Sequence, residues 1–485
     1  MSITVNGSTT LVEVAENSYT LNVETTSVDL ITVGIQGPQG IQGEQGIPGT
    51  SSNRTGFVVP RGGSTPTPIT SCDLTTVLGA FNVLCYGATG DGTTDDTDAF
   101  QDCLDDAGIN GGIVIVPPGV YNLSSILTNP ISVPNNVSLL GTYYGPMSHT
   151  GYRDTGWPTG GGSKLLLPIG GTSTYTNALI TLNTNSVLQG FLLYYPLQNQ
   201  SAAPPTACPP AVAMRGKNAT LRYVEMLNPY WAVDVNSTPD SITERPTIEH
   251  LTGQPLYKGI TCGNEGNGGI PDCARLTDIH FNPWWSYPQA GSSVPPTLFN
   301  WQQANATAFI FGDCDEVIVK TCFAYGYKVG IQFTSPNRGT YGTFAGCGLD
   351  FVRTAILCDN TQVFGVDFIG GGFVVSNGAL SWLTLSNGTI GFQNCRFWGT
   401  DPGTITQTNG KLRIESCYFK TQIDINSQGT QTIVIGNMFN DASSTVELQG
   451  SAKGCVTLNN WPNGTTGDSK VSATSTSPYL ITGNF

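Results

Sequence analysis

The sequence predicts an all-β chain whose main body is a parallel β-helix. Three observations predict it. Gly is abundant at 60 of 485 residues, charged residues are only 11%, and Thr, Asn, Ser, Val and Ile dominate the rest, a composition that favours strands and turns over helices. No segment of helical period and useful length follows Gly108. A short pattern then recurs about every 21 to 25 residues, the length of one coil in a solenoid.

The elements follow in chain order. Residues 1–33 alternate Val, Ile and Leu with polar residues, with Asn6-Gly7 as a hairpin turn. They read as a small β module with too little core to stand alone. In residues 34–51, Gly34, Gly37, Gly40, Gly43, Gly46 and Gly49 recur every third position. Only glycine fits the axis of a collagen triple helix, so this run predicts three chains and a homotrimer. Pro38 and Pro48 are its only prolines, so contacts on both sides must support it. Residues 52–80 read as a Pro/Thr/Gly linker.

Residues 81–121 read strand, turn, helix, loop, strand. Gly87, Gly90 and Gly92 mark the turn. Thr94 or Asp95 caps the helix, and Asp95, Asp96 and Asp98 suit its positive end. Phe100, Cys103, Leu104 and Ala107 fall on one apolar stripe. The aspartates here are turn and helix-start residues, not an acid or metal cluster.

The segments GATGDGTTDDTDAFQ and GGIVIVPPGVY resemble the entry module of the pectate-lyase-like right-handed β-helix family, which includes many phage tailspikes. The resemblance implies that the helix caps the open end of a right-handed β-helix. It transfers no catalytic residue. The Gly-His-Gly segment of polygalacturonase-like members is missing, and only Arg353 near Asp350 suggests a lyase base.

Residues 122–462 carry the repeat, and 463–485 read as a C-terminal tail. Phe392-x-x-Cys395-x-Phe397 and Ile414-x-x-Cys417-x-Phe419 are clear copies. Val363-x-x-Val366-x-Phe368, Leu276-x-x-Ile279-x-Phe281 and Ile435-x-x-Met438 share the form. Cys395, Cys417, Met438 and Asn459 serve as anchors. The residue before an anchor is a turn former: Asn394, Asn437, Gly346, Gly365, Ser416, Thr321 or Asp278. Residues 143–215 and 283–307 break the period and read as long side loops, where function concentrates. The 13 cysteines read mainly as buried free thiols, with Cys262–Cys273 the best disulfide candidate.

The net charge of −14 argues against nucleic acid and anionic membranes as partners. The first basic residue is Arg54, and no apolar run reaches 18 residues. No signal peptide or membrane insertion is therefore expected. No CxxC pair occurs, and no metal or other cofactor is expected.

Glycoside hydrolysis needs two carboxyl groups on one face. The candidate catalytic residues are Asp313, Asp315, Glu316, Asp350 and Asp367, with the crowded Asp313–Glu316 run first, because neighbouring like charges raise one pKa. Sugar rings stack on aromatic faces. Trp157, Trp231, Trp284, Trp285, Tyr287, Trp301 and His280 are the candidate substrate-binding residues. With the family resemblance, these features lead to the expectation of a trimeric phage tailspike in the virion tail. It is expected to be made in the host cytoplasm, to attach to other tail proteins through residues 1–33, and to recognise and depolymerise host surface polysaccharide. A non-catalytic adhesin of the same architecture is the alternative.

Overall fold

The computed structural model describes four short strands before residue 70 and residues 79–485, except 144–160, 172–177, 236–242, 264–270, 288–293, 335–336, 376–380 and 463. The chain divides into two compact units, Met1–Thr70 and Ser71–Phe485. In the first, Thr10–Val14 pairs antiparallel with Tyr19–Val23, and Gly56–Val58 with Thr67–Ile69. The second hairpin lies where the sequence suggests a linker. Asn6-Gly7, the Gly-x-y run and Trp157 fall outside the described residues.

In the second unit nearly every strand pairs in parallel with the strand one coil away. A 13-stranded sheet forms one wall, and a 24-stranded sheet wraps the others. This is a parallel β-helix. The larger sheet bends at a column of left-handed residues. His250, Asp278, Thr321, Gly346, Asn394, Ser416 and Gly436 all have φ between 50° and 68°. Glycine and short polar residues enter that region most readily. The turn formers expected at Asp278, Thr321, Gly346, Asn394 and Ser416 therefore do sit at a corner. Gly365 does not belong to it, because Val366 pairs with Gly342 and Ile390 within the strand before the bend.

Inward side chains stack in columns. Phe344, Phe368, Phe392, Ile414, Val434 and Val456 form one. Phe373, Phe397, Phe419 and Phe439 form another, extended by Trp461 with ring centroids 4.3 Å apart. After Cys417 the anchor column continues through Asn437, Asn459 and Asn484, not through Met438. The backbone N–H of Cys417 donates to Asn437 Oδ1 at 2.8 Å, that of Asn437 to Asn459 Oδ1 at 3.0 Å, and that of Asn459 to Asn484 Oδ1 at 3.2 Å. The Nδ2 groups return bonds to Ile414, Val434 and Val456 carbonyls. Met438 pairs with Tyr418 on the outer surface instead. The amides replace thiols there because each satisfies backbone groups at the bend that would otherwise be buried unpaired.

Helix α1 is Thr97–Gly108, and its stripe Phe100, Cys103, Leu104 and Ala107 is fully buried in the main core. Asp96 holds the preceding turn through Thr89 and Gly90. Asp91 accepts from the backbone of Thr94 and Thr93, which holds its carboxyl far below the usual range. For Asp95, burial is outweighed by hydrogen bonds from Ser125 and Thr97, with the same net effect.

Three boundaries differ from the sequence reading. Residues 143–215 are not one loop, because Ser163–Leu166, Ile180–Leu182, Val187–Tyr194 and Pro210–Met214 join the coil ladders. Residues 283–307 contain a second helix, α2, Thr297–Asn305. The tail supplies Val471–Ala473 and Tyr479–Thr482, which pair with the preceding coil. The proposed Cys262–Cys273 bridge is absent. Both thiols are free, and Cys262 lies inside the coil with its Sγ 3.7 Å from Cys314 Sγ. Cys85, expected as a free thiol, is disulfide-bonded.

Excursions lay a second apolar layer on the outer face of the early coils. Tyr143, Leu166, Leu192, Tyr194, Leu227, Leu256, Trp285 and Leu298 form it. Gln254 ties it down. Its Oε1 accepts from the backbone N–H of Trp285 and Ser286, and its Nε2 donates to Ser286 and to Gln302 of α2.

Candidate functional site

Parallel bridges stack Glu244, Asp272 and Asp315 on successive coils. Uncompensated, such a ladder repels itself. Lys217 Nζ takes Glu244 at 2.6 Å, and Arg338 lies 4.0 Å from Asp315. Gln362 Nε2 donates to Asp315 Oδ1 at 2.5 Å. Glu316 follows with φ 50° and an exposed side chain. Cys273 Sγ lies 3.3 Å from Asp272 and 3.8 Å from Glu316. Burial, then the bond and charge of Asp272 and the charge of Glu316, push the Cys273 thiol up.

Tyr341 stands in the same field. Its phenol is raised by burial and then by the charges of Glu316, Asp315 and Asp272. The next coil carries a bulge. Register jumps from Thr340↔Thr361 to Gly342↔Val366, which extrudes Val363 and Phe364. They are 73% and 76% exposed. The Phe364 ring meets Tyr341 at 5.7 Å, nearly edge on. The arrangement sets carboxylates from successive coils beside an exposed aromatic edge.

Asp313, first in the expected acid run, plays a different part. Its carboxyl is buried and accepts from the backbone N–H of Arg338 at 2.9 Å and of Gly339 at 2.7 Å. It points into the structure and positions Arg338 instead of joining Asp315 and Glu316 outside.

Asp350 lies on the other side of the bend, half-buried, and burial raises its carboxyl above the usual range. It neighbours Tyr325, which stacks on Phe351 at 5.4 Å and meets Tyr287 oxygen to oxygen at 3.4 Å. Burial, then Tyr287 and the charge of Asp350, push the Tyr325 phenol up strongly. Asp367 forms an ion pair with Arg413 two coils on, at 2.6 Å. They reach each other over Gly391, where an added Cβ would lie 2.2 Å from Asp367 Oδ1. A shallow cavity of about 120 Å³ opens there, also lined by Gln393 and Glu415. The structure thus separates Asp350 and Asp367 from the Asp315–Glu316 cluster.

The expected tryptophan platforms are only partly exposed. Trp284 and Trp285 are buried, because the turn that follows Arg275–Phe281 packs back on the coils, with Trp285 part of the second layer. The His280 ring sits between Trp284 at 5.2 Å and Phe323 at 4.8 Å. Tyr287 is half-buried against Phe299. Trp231 and Trp301 belong to a separate patch. Lys258 Nζ lies 4.8 Å above the Trp231 ring, and Tyr257 links Trp301 to Tyr230. Among the described residues no group of three His, Cys, Asp or Glu side chains is placed to hold a metal ion, and no helix is long and apolar enough to cross a membrane.

Sequence reading missed Tyr341, Phe364 and Arg338. The available signal was the apolar pair Val363-Phe364 directly before Gly365, which marks an extruded bulge better than a core strand.

Comparison with known proteins adds the following. Residues 80–150 match the model of the rhamnogalacturonase A/epimerase, pectate lyase-like family. A non-secreted LysM effector, LysM19, of Penicillium expansum is 39% identical over 72 residues, which is 15% of this chain and 5% of that protein. The chain thus spans about one twentieth of that relative. DFA-IIIase of Arthrobacter chlorophenolicus A6, solved in complex with GF2, superposes with a TM-score of 0.50 at 9% identity, covering 75% of this chain and 95% of that one. The A-module of mannuronan C-5 epimerase AlgE4 of Azotobacter vinelandii gives 0.44 at 12%, over 83% and 99%. ORF18 of Geobacillus virus E2 gives 0.29 at 13%, over 87% and 65%. The pectate lyase-like match falls on the α1 module, and the DFA-IIIase likeness concerns the fold of the coils alone.

Proposed function

We propose that this protein is a phage tailspike that recognises host cell-surface polysaccharide and depolymerises it by glycoside hydrolysis. The observation that carries the reading is the convergence of Asp272, Asp315 and Glu316 around Tyr341, beside the exposed ring of Phe364. An exposed aromatic takes the C–H face of a sugar. Two carboxyls on one face supply the acid and the base or nucleophile. Glu316, exposed and close to other carboxylates, is the general acid of this scheme, and Asp315, held by Gln362, is its partner. The pectate lyase-like match at residues 80–150 supports the reading, as does the Gly-x-y run of residues 34–51, which calls for three chains. The finer architecture belongs to the same proposal: right-handed winding, α1 as an end cap, a homotrimer, and residues 1–33 as the attachment to other tail proteins of the virion.

A second reading, a trimeric adhesin without catalysis, is favoured by the hydrogen bond from Gln362 to Asp315 and the nearby Arg338 charge, since a carboxylate so occupied is restrained for proton transfer. Purified protein incubated with the surface polysaccharide of its host separates the two. New reducing ends support the hydrolase; tight binding with none supports the adhesin. Light scattering that gives a single-chain mass removes the trimer.

A further inference from the structure

The loop of residues 196–201 lines an open groove against the second layer, well away in sequence from the acid cluster. Its volume is about 420 Å³, within the range of about 300–1,000 Å³ common for small-molecule sites. Tyr194 and Trp285, both nearly fully buried, form its aromatic side, and Gln198, Asn199, Gln200 and Ser201 supply its polar side.

The walls are held in place before any ligand arrives. Gln198 Nε2 donates to the Thr206 carbonyl at 2.7 Å, and the Thr206 N–H returns a bond to Gln198 Oε1 at 2.8 Å. Gln200 Nε2 donates to the Trp285 carbonyl at 2.8 Å, which pins the loop to the opposite wall. Asn228 clamps the start of the loop through a pair of bonds to the Tyr195 backbone. A groove fixed this way takes a ligand without the entropy loss of ordering a loop.

We infer that this groove is a saccharide-binding site, separate from the acid cluster, that takes an uncharged sugar unit. The inference rests on the reading that the protein handles glycans. Side-chain amides and hydroxyls both donate and accept, as sugar hydroxyls do, and Pro196 with the exposed Leu197 offers an apolar edge for ring C–H groups. Among the described residues no charged side chain lines the groove, so a uronate carboxylate entering it would lose hydration with no described cation to replace it. The site thus selects neutral units, and it anchors a chain whose cleavage takes place elsewhere.

The test uses the full-length protein and immobilised bacterial O-chain and capsule oligosaccharides, neutral and uronate-containing. Ser201→Trp places an indole in the groove from an exposed loop position, and Asn199→Asp puts a negative charge there without added bulk. Ser201→Ala is the control. The expected result is wild-type binding to neutral fragments, weakened at least tenfold by Ser201→Trp and by Asn199→Asp and unchanged by Ser201→Ala. Undiminished binding by both variants overturns the inference and leaves the proposed function standing. Preference for uronate-containing fragments overturns the neutral selectivity. Absence of any glycan binding by the wild type overturns the proposed function and this site together.

Discussion

The early and late coils use the same backbone geometry and differ in what covers them. In Val187–Tyr194 the inward residues join the coil core, and the outward Leu192 and Tyr194 are buried too, under the second layer and α2. In the late coils the same outward positions are bare. Trp398, Tyr418 and Met438 stand exposed, and Met438 reaches 55%. A coil stack needs only its inner columns to hold together, since each coil buries its neighbour's face. The outer layer is therefore an addition. It converts a flat flank into walls, and the 420 Å³ groove lies where that conversion happens.

If that distinction is right, the largest stability losses come from the inner columns in either half. Phe397→Ala, fully buried between Phe373 and Phe419, should cost about 4 kcal/mol, read by denaturant unfolding. Leu298→Ala should cost about 3 kcal/mol because the second layer is a true core, whereas Met438→Ala should stay within about 0.5 kcal/mol. Equal effects for these two would erase the contrast. Asn459→Ala opens the amide ladder and leaves the Asn437 N–H and the Val434 carbonyl of the preceding coil unpaired, at about 2 kcal/mol.

Asp350 offers a pH test. Burial raises its folded-state pKa above the unfolded value, so its contribution to stability is full below the unfolded pKa and is lost as pH rises through the folded one. Asp350→Asn should remove that loss, giving a higher Tm than wild type at neutral pH and a flatter profile from pH 4 upward. A steeper profile would place the carboxyl in a favourable charged environment instead. The smallest effect is Arg413→Ala. Its ion pair with Asp367 is nearly half exposed on both sides, so the change should stay below about 1 kcal/mol.

The inner repeat was legible because it is written in residue types with one physical role each. Phenylalanine and cysteine mark inner columns, and glycine, asparagine and serine mark the bend. The register was misread at Met438 because an apolar side chain looks like a better core residue than Asn437. Only the hydrogen-bond demand of the buried bend reverses that preference. Helix α2 was missed because it buries Gln302 and Gln303 along with Leu298 and Phe299, so its apolar stripe is broken by amides that bond the Gly326 and Phe351 carbonyls. Trp284 and Trp285 were expected on the surface because they fall in an excursion between coils, and no local pattern records that the excursion packs back as a second layer. At the candidate site, Asp315 and Glu316 were visible as an acidic run. Their separation from Asp313 was not, because it depends on which way the strand Cys314–Lys320 turns each carboxyl.

The carboxylates around Tyr341 carry the proposed chemistry, and one measurement reaches them directly. Release of reducing ends from the host polysaccharide should be compared for wild type, Asp315→Asn, Glu316→Gln and Asp313→Asn, alongside their Tm values. The account predicts at least a 100-fold drop in turnover for the first two variants with Tm unchanged. It predicts a lowered Tm for Asp313→Asn, whose carboxyl holds the Arg338 and Gly339 backbone. Wild-type turnover retained by both Asp315→Asn and Glu316→Gln would contradict it.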